Sequence, residues 1–258
     1  MSAQPTEHLR PLVVIPARMA SSRLPGKPLA DICGEPMIVR VLKAALAANT
    51  GPAIVACAEQ QIKDVVDAAG GQAILTDPEL PSGTDRVRAA ADIYDPEGRF
   101  DCVVNLQGDM PTIDPTCLRA AVSVLEHTPD CDIATLAVAT HDNQQKQDPN
   151  VVKAVLSLKT SAQGQALYFT RACAPSGDGP VWHHVGIYAY RRAALERFCG
   201  LPPSPLERRE RLEQLRALEA GLRIDAALID SEPHGVDTPE DLQRARDLIK
   251  RLPTEPNS

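Results

Sequence analysis

The sequence has few aromatic residues and no excess of positive charge. Phe, Trp and Tyr make up 3% of its 258 residues, and the formal net charge is −7. Nucleic-acid-binding surfaces need basic stripes and stacking rings, so this composition predicts no nucleic-acid partner. No apolar run approaches the ~20 residues that a membrane span requires, which predicts no membrane insertion. The first residues, MSAQPTEHLRP, lack the apolar segment of a signal peptide, and we expect a cytoplasmic protein.

Closely spaced cysteine pairs are also missing. The seven cysteines are scattered, and the two nearest, Cys117 and Cys131, are 14 residues apart. This spacing excludes a CxxC zinc or redox motif. An odd, scattered set is typical of reduced thiols in a cytosolic protein. Cys57 and Cys102 lie within apolar runs and are interpreted as small core residues.

The first strand and the loop after it lack two nucleotide-binding fingerprints. The apolar run Leu12–Ile15 predicts a buried strand, yet no GxGxxG follows it, which excludes a dinucleotide-binding dehydrogenase. A P-loop, GxxxxGK[ST], is excluded because Ser21 takes the place of its first glycine and Pro28 follows Lys27.

That loop is nevertheless rich in positive charge. It carries Arg18, Arg23 and Lys27 and has no acid before Asp31; from position 10 to position 43 there are six cations and two acids. A positive, irregular loop at the end of a strand suits a polyphosphate. A solvated basic turn is the alternative, but a positive island in an acidic chain favours an anion site.

Hydrophobic periodicity predicts the fold class. A strand, the loop, a helix starting at residues 35–36, a strand at 53–56, a helix at 60–69 and a strand at 73–75 follow one another. This order predicts an α/β fold with a doubly wound, mostly parallel sheet. Further on, the patterns predict a helix at 206–220 and, after residue 251, a frayed tail.

A second irregular loop, Leu80–Arg86, precedes another predicted helix. Ser82 or Thr84 can cap that helix, and an ordinary cap explains both side chains. It does not explain Arg86, because the positive end of the helix dipole disfavours a cation in the first turn. A structural role and a ligand-binding role for this loop both stay open.

Two aspartates stand at positions suited to a cation. Asp109 follows the predicted strand 102–106, and Gly108 permits a sharp exit before it. A carboxylate there, near a phosphate loop, is a good Mg²⁺ ligand, although turn aspartates are common. Thr238 is predicted to cap the last helix, which leaves the Asp237 carboxylate uncommitted. Asp237 then either faces the ligand or only benefits from the helix dipole.

The strand predicted at 182–190 contains His183 and His184. Zinc needs three or four ligands and no third lies close in sequence, so hydrogen bonding is the preferred role for His184.

Seven motifs in order resemble one family. They are IPARMASSRLPGKPL, SGTDR, NLQGD, ALYFTRA, HHVGIYAY, SPLERRERLEQLR and GVDTPEDL. Together they resemble the 3-deoxy-manno-octulosonate (Kdo) cytidylyltransferases over almost all of residues 12–250. The resemblance implies that CTP and Kdo give CMP-Kdo and pyrophosphate, for lipopolysaccharide synthesis. It also implies Mg²⁺, a homodimer, and a nucleotide-diphospho-sugar transferase-like fold with a smaller sugar-binding and dimerisation lobe.

The resemblance also implies a role for each matching residue. Arg18, Ser21 and Lys27 would hold the CTP phosphates, and Ser82, Gly83, Thr84, Arg86 and Gln107 would border the nucleotide. Asp109 and Asp237 would hold Mg²⁺ and, with Arg18 and Lys27, carry the catalysis. Arg23, Arg171, His184, Tyr188, Glu213 and Gln214 would surround the sugar acid, whose carboxylate and hydroxyls suit these side chains. Residues 11–150 would then form the nucleotide-binding part, 151–235 the sugar-binding and dimerisation part, and 236–251 a helix returning to the first, within one structural domain.

One departure and two alternatives accompany this assignment. The family often has Glu directly after the metal aspartate, where this chain has Met110. No residue is an obvious general base, so we expect a metal ion near the attacking hydroxyl to lower its pKa. The alternatives are a cytidylyltransferase for another sugar acid, such as 8-amino-Kdo or a sialic acid, and a nucleotide-binding regulator without turnover.

Overall fold

A computed structural model describes residues 8–21, 23–230 and 232–251. The tail expected to fray after residue 251 lies outside these residues, as do the first seven residues of the stretch used for the signal-peptide argument. The predicted α/β class is confirmed. In the part of the chain that the structure describes, every helix is too short or too polar to cross a membrane.

Strands and helices alternate through the first half of the chain. The strands are β1 (Pro11–Ala17), β2 (Asp31–Ile32), β3 (Glu35–Pro36), β4 (Ala53–Cys57), β5 (Ala73–Leu75), β6 (Cys102–Asn105), β7 (Ile133–Thr140), β8 (Lys153–Leu158), β9 (Gln163–Thr170), β10 (Val181–Arg191) and β11 (Ile224–Ile229). The helices are α1 (Met37–Ala47), α2 (Gln60–Ala68), α3 (Gly83–Tyr94), α4 (Thr116–His127), α5 (Asn143–Gln147), α6 (Arg192–Cys199), α7 (Pro205–Glu210), α8 (Leu215–Glu219) and α9 (Pro239–Arg251). A short 3₁₀ turn occupies Lys27–Leu29.

The chain divides into two compact units, which we name the amino-terminal unit and the central unit. The amino-terminal unit comprises Val13–Pro96, Leu106–Pro115 and the segment from Pro233 onward. The central unit comprises Thr116–Glu232, Glu97–Asn105 and the residues up to Leu12.

In the amino-terminal unit, β1 pairs in parallel with β4, and β4 pairs in parallel with β5. The β1 residues Leu12–Ile15 are fully buried, as an apolar, β-branched strand inside a sheet requires. Helices α1 and α2 connect these strands and bury their apolar faces. These elements confirm the strand–helix alternation predicted from the sequence.

Helix α9 also belongs to the amino-terminal unit. Its buried residues Leu242 and Ala245 pack against Ile32, Met37 and Val236. The Arg246 guanidinium donates two hydrogen bonds to the main-chain oxygen of Asp31, at 3.1 and 2.8 Å. The middle of α9 is thereby held against Asp31, in the segment that follows the basic loop.

In the central unit, the strands lie in the order β6-β10-β7-β11-β9-β8, and β8 also pairs with β10. The last five of these strands therefore close on themselves. Only β7 and β11 are parallel here, whereas the pairs of β10 with β6, β7 and β8, of β11 with β9, and of β8 with β9 are antiparallel. The sheet is therefore mixed in this unit.

The single helix predicted over 206–220 is wrong. Helix α7 ends at Glu210, Arg211 adopts a left-handed conformation with φ 57° and ψ 47°, and α8 begins only at Leu215. An ion pair joins the two helices across this break. The Arg216 guanidinium of α8 binds both carboxylate oxygens of Glu207 in α7, at 2.8 and 2.5 Å. Helical periodicity could not reveal this turn, because it reports neighbours three or four residues apart. Glu207 and Arg216 are nine residues apart.

The cysteines are reduced, and the two assigned to the core are buried. Burial raises the pKa of the Cys57 thiol to about 11 and raises that of Cys102 further. A thiol with a raised pKa is a poor nucleophile at neutral pH. These cysteines therefore act as core residues, as the sequence predicted.

Candidate active site

A cavity of about 380 Å³ opens in the amino-terminal unit, at the carboxyl end of β1. It brings together many of the residues that the sequence had singled out for the nucleotide and metal. These residues are Arg18, Ser21, Arg23, Lys27, Ser82, Gly83, Arg86, Gln107 and Asp109. The size suits a small-molecule ligand, and the position at a strand end is where α/β sheets bind ligands.

The basic loop is shaped by main-chain hydrogen bonds. Gly26 has φ 69°, a left-handed conformation that glycine adopts without strain. The N–H of Lys27 donates to the Leu24 oxygen at 3.1 Å, and the N–H of Leu29 donates to the Gly26 oxygen at 2.9 Å. These bonds form the tight turn on which Lys27 stands.

The ammonium of Lys27 lies between two carboxylates. Its Nζ is 2.7 Å from Oδ2 of Asp109 and 3.0 Å from Oδ1 of Asp237. Burial alone would lower the pKa of Lys27, but the two carboxylates outweigh it, and the pKa is raised. Lys27 is therefore charged at neutral pH. The two aspartates singled out from the sequence meet at one cation.

Asp237 has a second cationic partner and a fixed backbone. Arg23 contacts its other oxygen, Oδ2, at 2.9 Å. The predicted cap of α9 is confirmed, because Thr238 Oγ1 accepts the N–H of Asp241 at 3.2 Å and the Asp241 carboxylate accepts the N–H of Thr238 at 3.1 Å. Capping does not use the Asp237 carboxylate, which is free to take part in the cationic cluster, as the sequence predicted.

The turn that presents Asp109 needs a glycine just before it. A Cβ atom at Gly108 would lie 2.8 Å from the main-chain oxygen of Pro16, closer than real Cβ atoms approach. The N–H of Leu106 donates to the Val14 oxygen at 3.1 Å, which holds this strand end beside β1. Asp109 is thus brought to the basic loop by a close contact between main chains.

The donor set at this cluster suits a hard divalent cation. Mg²⁺ in nucleotide sites is usually bound by one or two carboxylates together with phosphate oxygens and waters. Among the described residues, no group of three or more His, Cys, Asp or Glu side chains is arranged to hold a metal. Asp109 and Asp237 therefore fit a magnesium ion that takes its remaining ligands from a bound nucleotide and from water.

In the loop before α3, the residue that caps the helix is Ser82. Its Oγ accepts the N–H of Asp85 at 3.1 Å, whereas Thr84 is buried. Arg86 is also almost fully buried; it donates to Thr76 Oγ1 at 2.6 Å and to the Asp77 oxygen at 3.1 Å. Burial lowers the pKa of Arg86. These hydrogen bonds offset the cost of placing a cation in the first helical turn. They also anchor Arg86 in the wall of the cavity.

In the central unit, His184 is buried and neutral. Its Nε2 is 3.0 Å from Oγ1 of Thr135, which also lies within hydrogen-bonding distance of the Val185 and Ile187 oxygens. The Thr135 hydroxyl is therefore the hydrogen-bond partner of this ring nitrogen. Burial, with a smaller contribution from His183, lowers the pKa of His184 to about 3. The contact with Thr135 agrees with a hydrogen-bonding role for His184.

Tyr188 and Glu213 are electrostatically coupled near this histidine. The Tyr188 ring centroid lies 5.5 Å from that of His184. Burial, and then the Glu213 carboxylate, raise the pKa of Tyr188, so its phenol is protonated. Gln214 is buried and directly precedes α8. These four residues from the predicted sugar-acid set belong to the central unit.

Arg171, the remaining member of that set in this unit, holds the backbone. Its Nε donates to the Glu210 oxygen at 3.0 Å, and its Nη1 donates to the Pro149 oxygen at 3.0 Å. The Glu210 carboxylate in turn accepts from Thr170 Oγ1 at 2.9 Å and from the N–H of Arg171 at 3.1 Å. In this structure Arg171 thus positions the turn between α7 and α8.

Sequence reasoning missed three supporting residues. Thr135 contacts Nε2 of His184, Glu210 anchors Arg171, and Glu59 accepts the N–H of Met19, a residue of the basic loop, at 3.1 Å. All three act on residues distant in sequence. A local pattern contains no signal for such pairs, and only the tertiary structure reveals them.

Known proteins are similar to this chain over most of its length. The profile of a family described as cytidylyltransferase matches residues 12–224. A 3-deoxy-manno-octulosonate cytidylyltransferase of Parvibaculum lavamentivorans is 58% identical over 93% of this chain and 93% of its own. That of Rhodospirillum centenum is 60% identical, with the same two coverages. A solved structure of CMP:2-keto-3-deoxy-manno-octonic acid synthetase complexed with CTP has 37% identity and a TM-score of 0.87, covering 94% of this chain and 99% of that one.

Proposed function

The chain belongs to the 3-deoxy-manno-octulosonate cytidylyltransferase family, and on that premise we propose that it activates Kdo with CTP. The anomeric oxygen of Kdo attacks the α-phosphorus of CTP. The bond from that phosphorus to the bridging oxygen of the β-phosphate breaks, and pyrophosphate leaves. The hydroxyl proton passes to solvent. The product, CMP-Kdo, serves lipopolysaccharide synthesis.

The observation that carries the proposal is the cationic cluster at the cavity. Both substrates are anions, so an enzyme must neutralise the triphosphate before the sugar acid can approach it. Lys27 and Arg18 line the cavity from the loop after β1, and Asp109 and Asp237 contact Lys27. This arrangement suits a nucleoside triphosphate that arrives with a divalent cation.

In this proposal the loops that line the cavity each bind part of the nucleotide. Arg18, Ser21 and Lys27 bind the phosphates with charge and hydroxyl donors. Ser82, Gly83, Thr84, Arg86 and Gln107 form the border of the nucleotide site, with Arg86 acting through the wall that it anchors. The residues that match the nucleotide-binding part of the family therefore have a common place in the fold.

Asp109 and Asp237 would hold Mg²⁺, the proposed cofactor. When bound, this ion supplies positive charge at the phosphates. Mg²⁺ dependence is tested by titrating the metal into EDTA-treated enzyme. We expect turnover to be absent without a divalent cation and to return with Mg²⁺; full turnover in EDTA would remove the metal from the proposal.

The sugar acid is proposed to use the remaining residues. The family resemblance assigns Arg23 of the amino-terminal unit and Arg171 of the central unit to the sugar acid. In the central unit, neutral His184, protonated Tyr188, Glu213 and Gln214 supply hydrogen-bonding groups for its hydroxyls. The neutral imidazole of His184 has one N–H donor and one acceptor nitrogen. Neutral groups of fixed protonation suit a polyhydroxylated substrate, because recognition then varies little with pH.

A pyrophosphate-release assay tests the function directly. CTP is offered with Kdo, 8-amino-Kdo or a sialic acid, and the nucleotide-sugar product is identified by mass spectrometry. We expect release with CTP and Kdo, with the mass of CMP-Kdo. Preference for another acid would move the chain to a different substrate, and CTP binding without release from any acid would indicate a regulator.

A homodimer and a cytoplasmic location complete the proposal. The homodimer is supported by the family resemblance, and the cytoplasmic location by the need for CTP. Light scattering on the purified protein is expected to give twice the mass of one 27.8 kDa chain. A mass of one chain at micromolar concentration would remove the dimer without affecting the reaction.

A further inference from the structure

The carboxylates proposed to hold the metal have cationic partners in this structure. Lys27 Nζ contacts one oxygen of Asp109 and one of Asp237, and Arg23 contacts the second oxygen of Asp237. Two negative charges therefore face two positive charges. The inference below rests on the proposed function, because it concerns how that site takes up its metal.

The two cations differ in how firmly they are held. The Lys27 side chain is only 17% exposed and bridges both carboxylates, whereas the Arg23 side chain is 64% exposed and contacts one. Exposed ion pairs are weak, while pairs shielded from water are screened less. Lys27 is therefore the main competitor of any divalent cation at these oxygens.

A bound triphosphate changes this balance. Lys27 lines the same cavity as Arg18 and Ser21, so phosphate oxygens placed there would attract its ammonium. The Asp109 and Asp237 oxygens would lose their partner at the same moment as the phosphates add negative charge. Nucleotide binding would thereby raise the affinity of these carboxylates for a divalent cation.

We propose that Lys27 is a built-in counter-ion: it occupies the metal-binding carboxylates of the free enzyme and is withdrawn by the nucleotide. Metal and nucleotide then bind with positive coupling, and each increases the affinity for the other. The free enzyme is protected from binding a metal unproductively. The same lysine has two partners in succession, first the aspartates and then the phosphates.

Direct metal binding to the nucleotide-free protein tests this. Mn²⁺ is used as the probe, and the free ion is measured by electron paramagnetic resonance in the absence of CTP. Wild-type protein is compared with Lys27→Met, which keeps the length of the side chain without its charge. We expect Lys27→Met to bind Mn²⁺ at least ~10-fold more tightly, since the competing cation is gone. The matched control is Lys43→Met. Lys43 is an exposed lysine of α1 that pairs with Glu35, and this variant should bind Mn²⁺ as the wild type does.

Two further variants keep the result decisive. Lys27→Gln replaces the ammonium by a neutral polar group and is expected to give the same gain if Lys27→Met does not fold. Adding Asp109→Asn to either variant should abolish the gain, which places it at this cluster. Equal or weaker Mn²⁺ binding in the folded Lys27 variant would overturn the proposal. If CTP and Kdo still react in wild type, that outcome leaves the proposed function standing; absence of turnover would instead remove the function, whatever Mn²⁺ does.

Discussion

The main-chain oxygen of Asp109 accepts a hydrogen bond from the N–H of Val236, at 2.9 Å. This bond joins the turn after β6 to the residue just before Asp237. The two aspartates are thus held together by backbone as well as by their shared contact with Lys27. Their proximity does not depend on side-chain charge, so the charge can be removed without dispersing the site.

The first prediction follows from this bond. Asp109→Asn and Asp237→Asn should each reduce turnover by at least ~10²-fold, a typical loss for a group that stabilises charge in the transition state. The fold should persist, because the bond between Asp109 and Val236 uses only main-chain atoms. Pyrophosphate release at saturating Mg²⁺, with thermal unfolding of each variant, measures both. Asp247→Asn on the outer face of α9 is the control. Turnover near the wild-type value in Asp109→Asn would remove that residue from the mechanism.

The second prediction concerns Gly108. Gly108→Ala should lower the free energy of unfolding by about 1–3 kcal/mol, the usual cost of forcing an extra group into a packed site. The new Cβ meets the Pro16 oxygen, which cannot rotate away. The shift of the basic loop should also raise KM for CTP. Gly235→Ala is the matched control, since a Cβ there has no atom within 4 Å. Equal stability and KM in the two variants would show that this approach of main chains is not tight.

The third prediction is a pH dependence caused by His184. Burial lowers its pKa to about 3 in the folded protein, below the ordinary value near 6.5. The unfolded chain therefore binds this proton more readily, and stability falls as the pH drops from about 6.5 towards 3. The slope contributed is about 1.4 kcal/mol per pH unit, while above pH 6.5 it vanishes.

Urea unfolding between pH 7.5 and 4.5 measures this contribution. His184→Gln should lose less stability on acidification than wild type, by the slope just given. His127→Gln, on the exposed end of α4, is the control and should follow wild type. Parallel curves for wild type and His184→Gln would contradict a buried neutral imidazole.

The fourth prediction concerns a lysine with no part in the chemistry. Lys153 is fully buried, and its ammonium donates to the Asp148, Val151 and Arg171 oxygens at 2.7, 2.7 and 2.9 Å. Lys153→Met leaves three carbonyl groups without this donor, so the free energy of unfolding should fall by about 3 kcal/mol or more.

Chemical denaturation tests this loss. Lys146→Met is the matched control, because half-buried Lys146 donates to one carbonyl, that of Gly179, and its loss should cost less than about 0.5 kcal/mol. The variant at 153 should also raise KM for Kdo more than KM for CTP, since the bonded carbonyl belongs to Arg171. A stability equal to that of the control would mean that water replaces the ammonium freely.

Local sequence patterns sufficed to predict the alternation of strands and helices and the positive charge of the loop after β1. Apolar periodicity depends on neighbours three, four or two residues apart, and this local information sufficed for β1, α1, β4 and α9. The same holds for the roles of Thr238 as a cap and of Cys102 as a core residue, since each follows from residues close in the chain.

The contacts between distant residues depend on the tertiary structure. No local pattern places Lys27 between Asp109 and Asp237, brings Thr135 to Nε2 of His184, or ends α7 at Glu210. Each of these depends on a hydrogen bond or ion pair between segments remote in sequence. Such bonds form only when burial of the core has brought the segments together. Local sequence patterns therefore indicate the chemistry of the residues but not the contacts that they make.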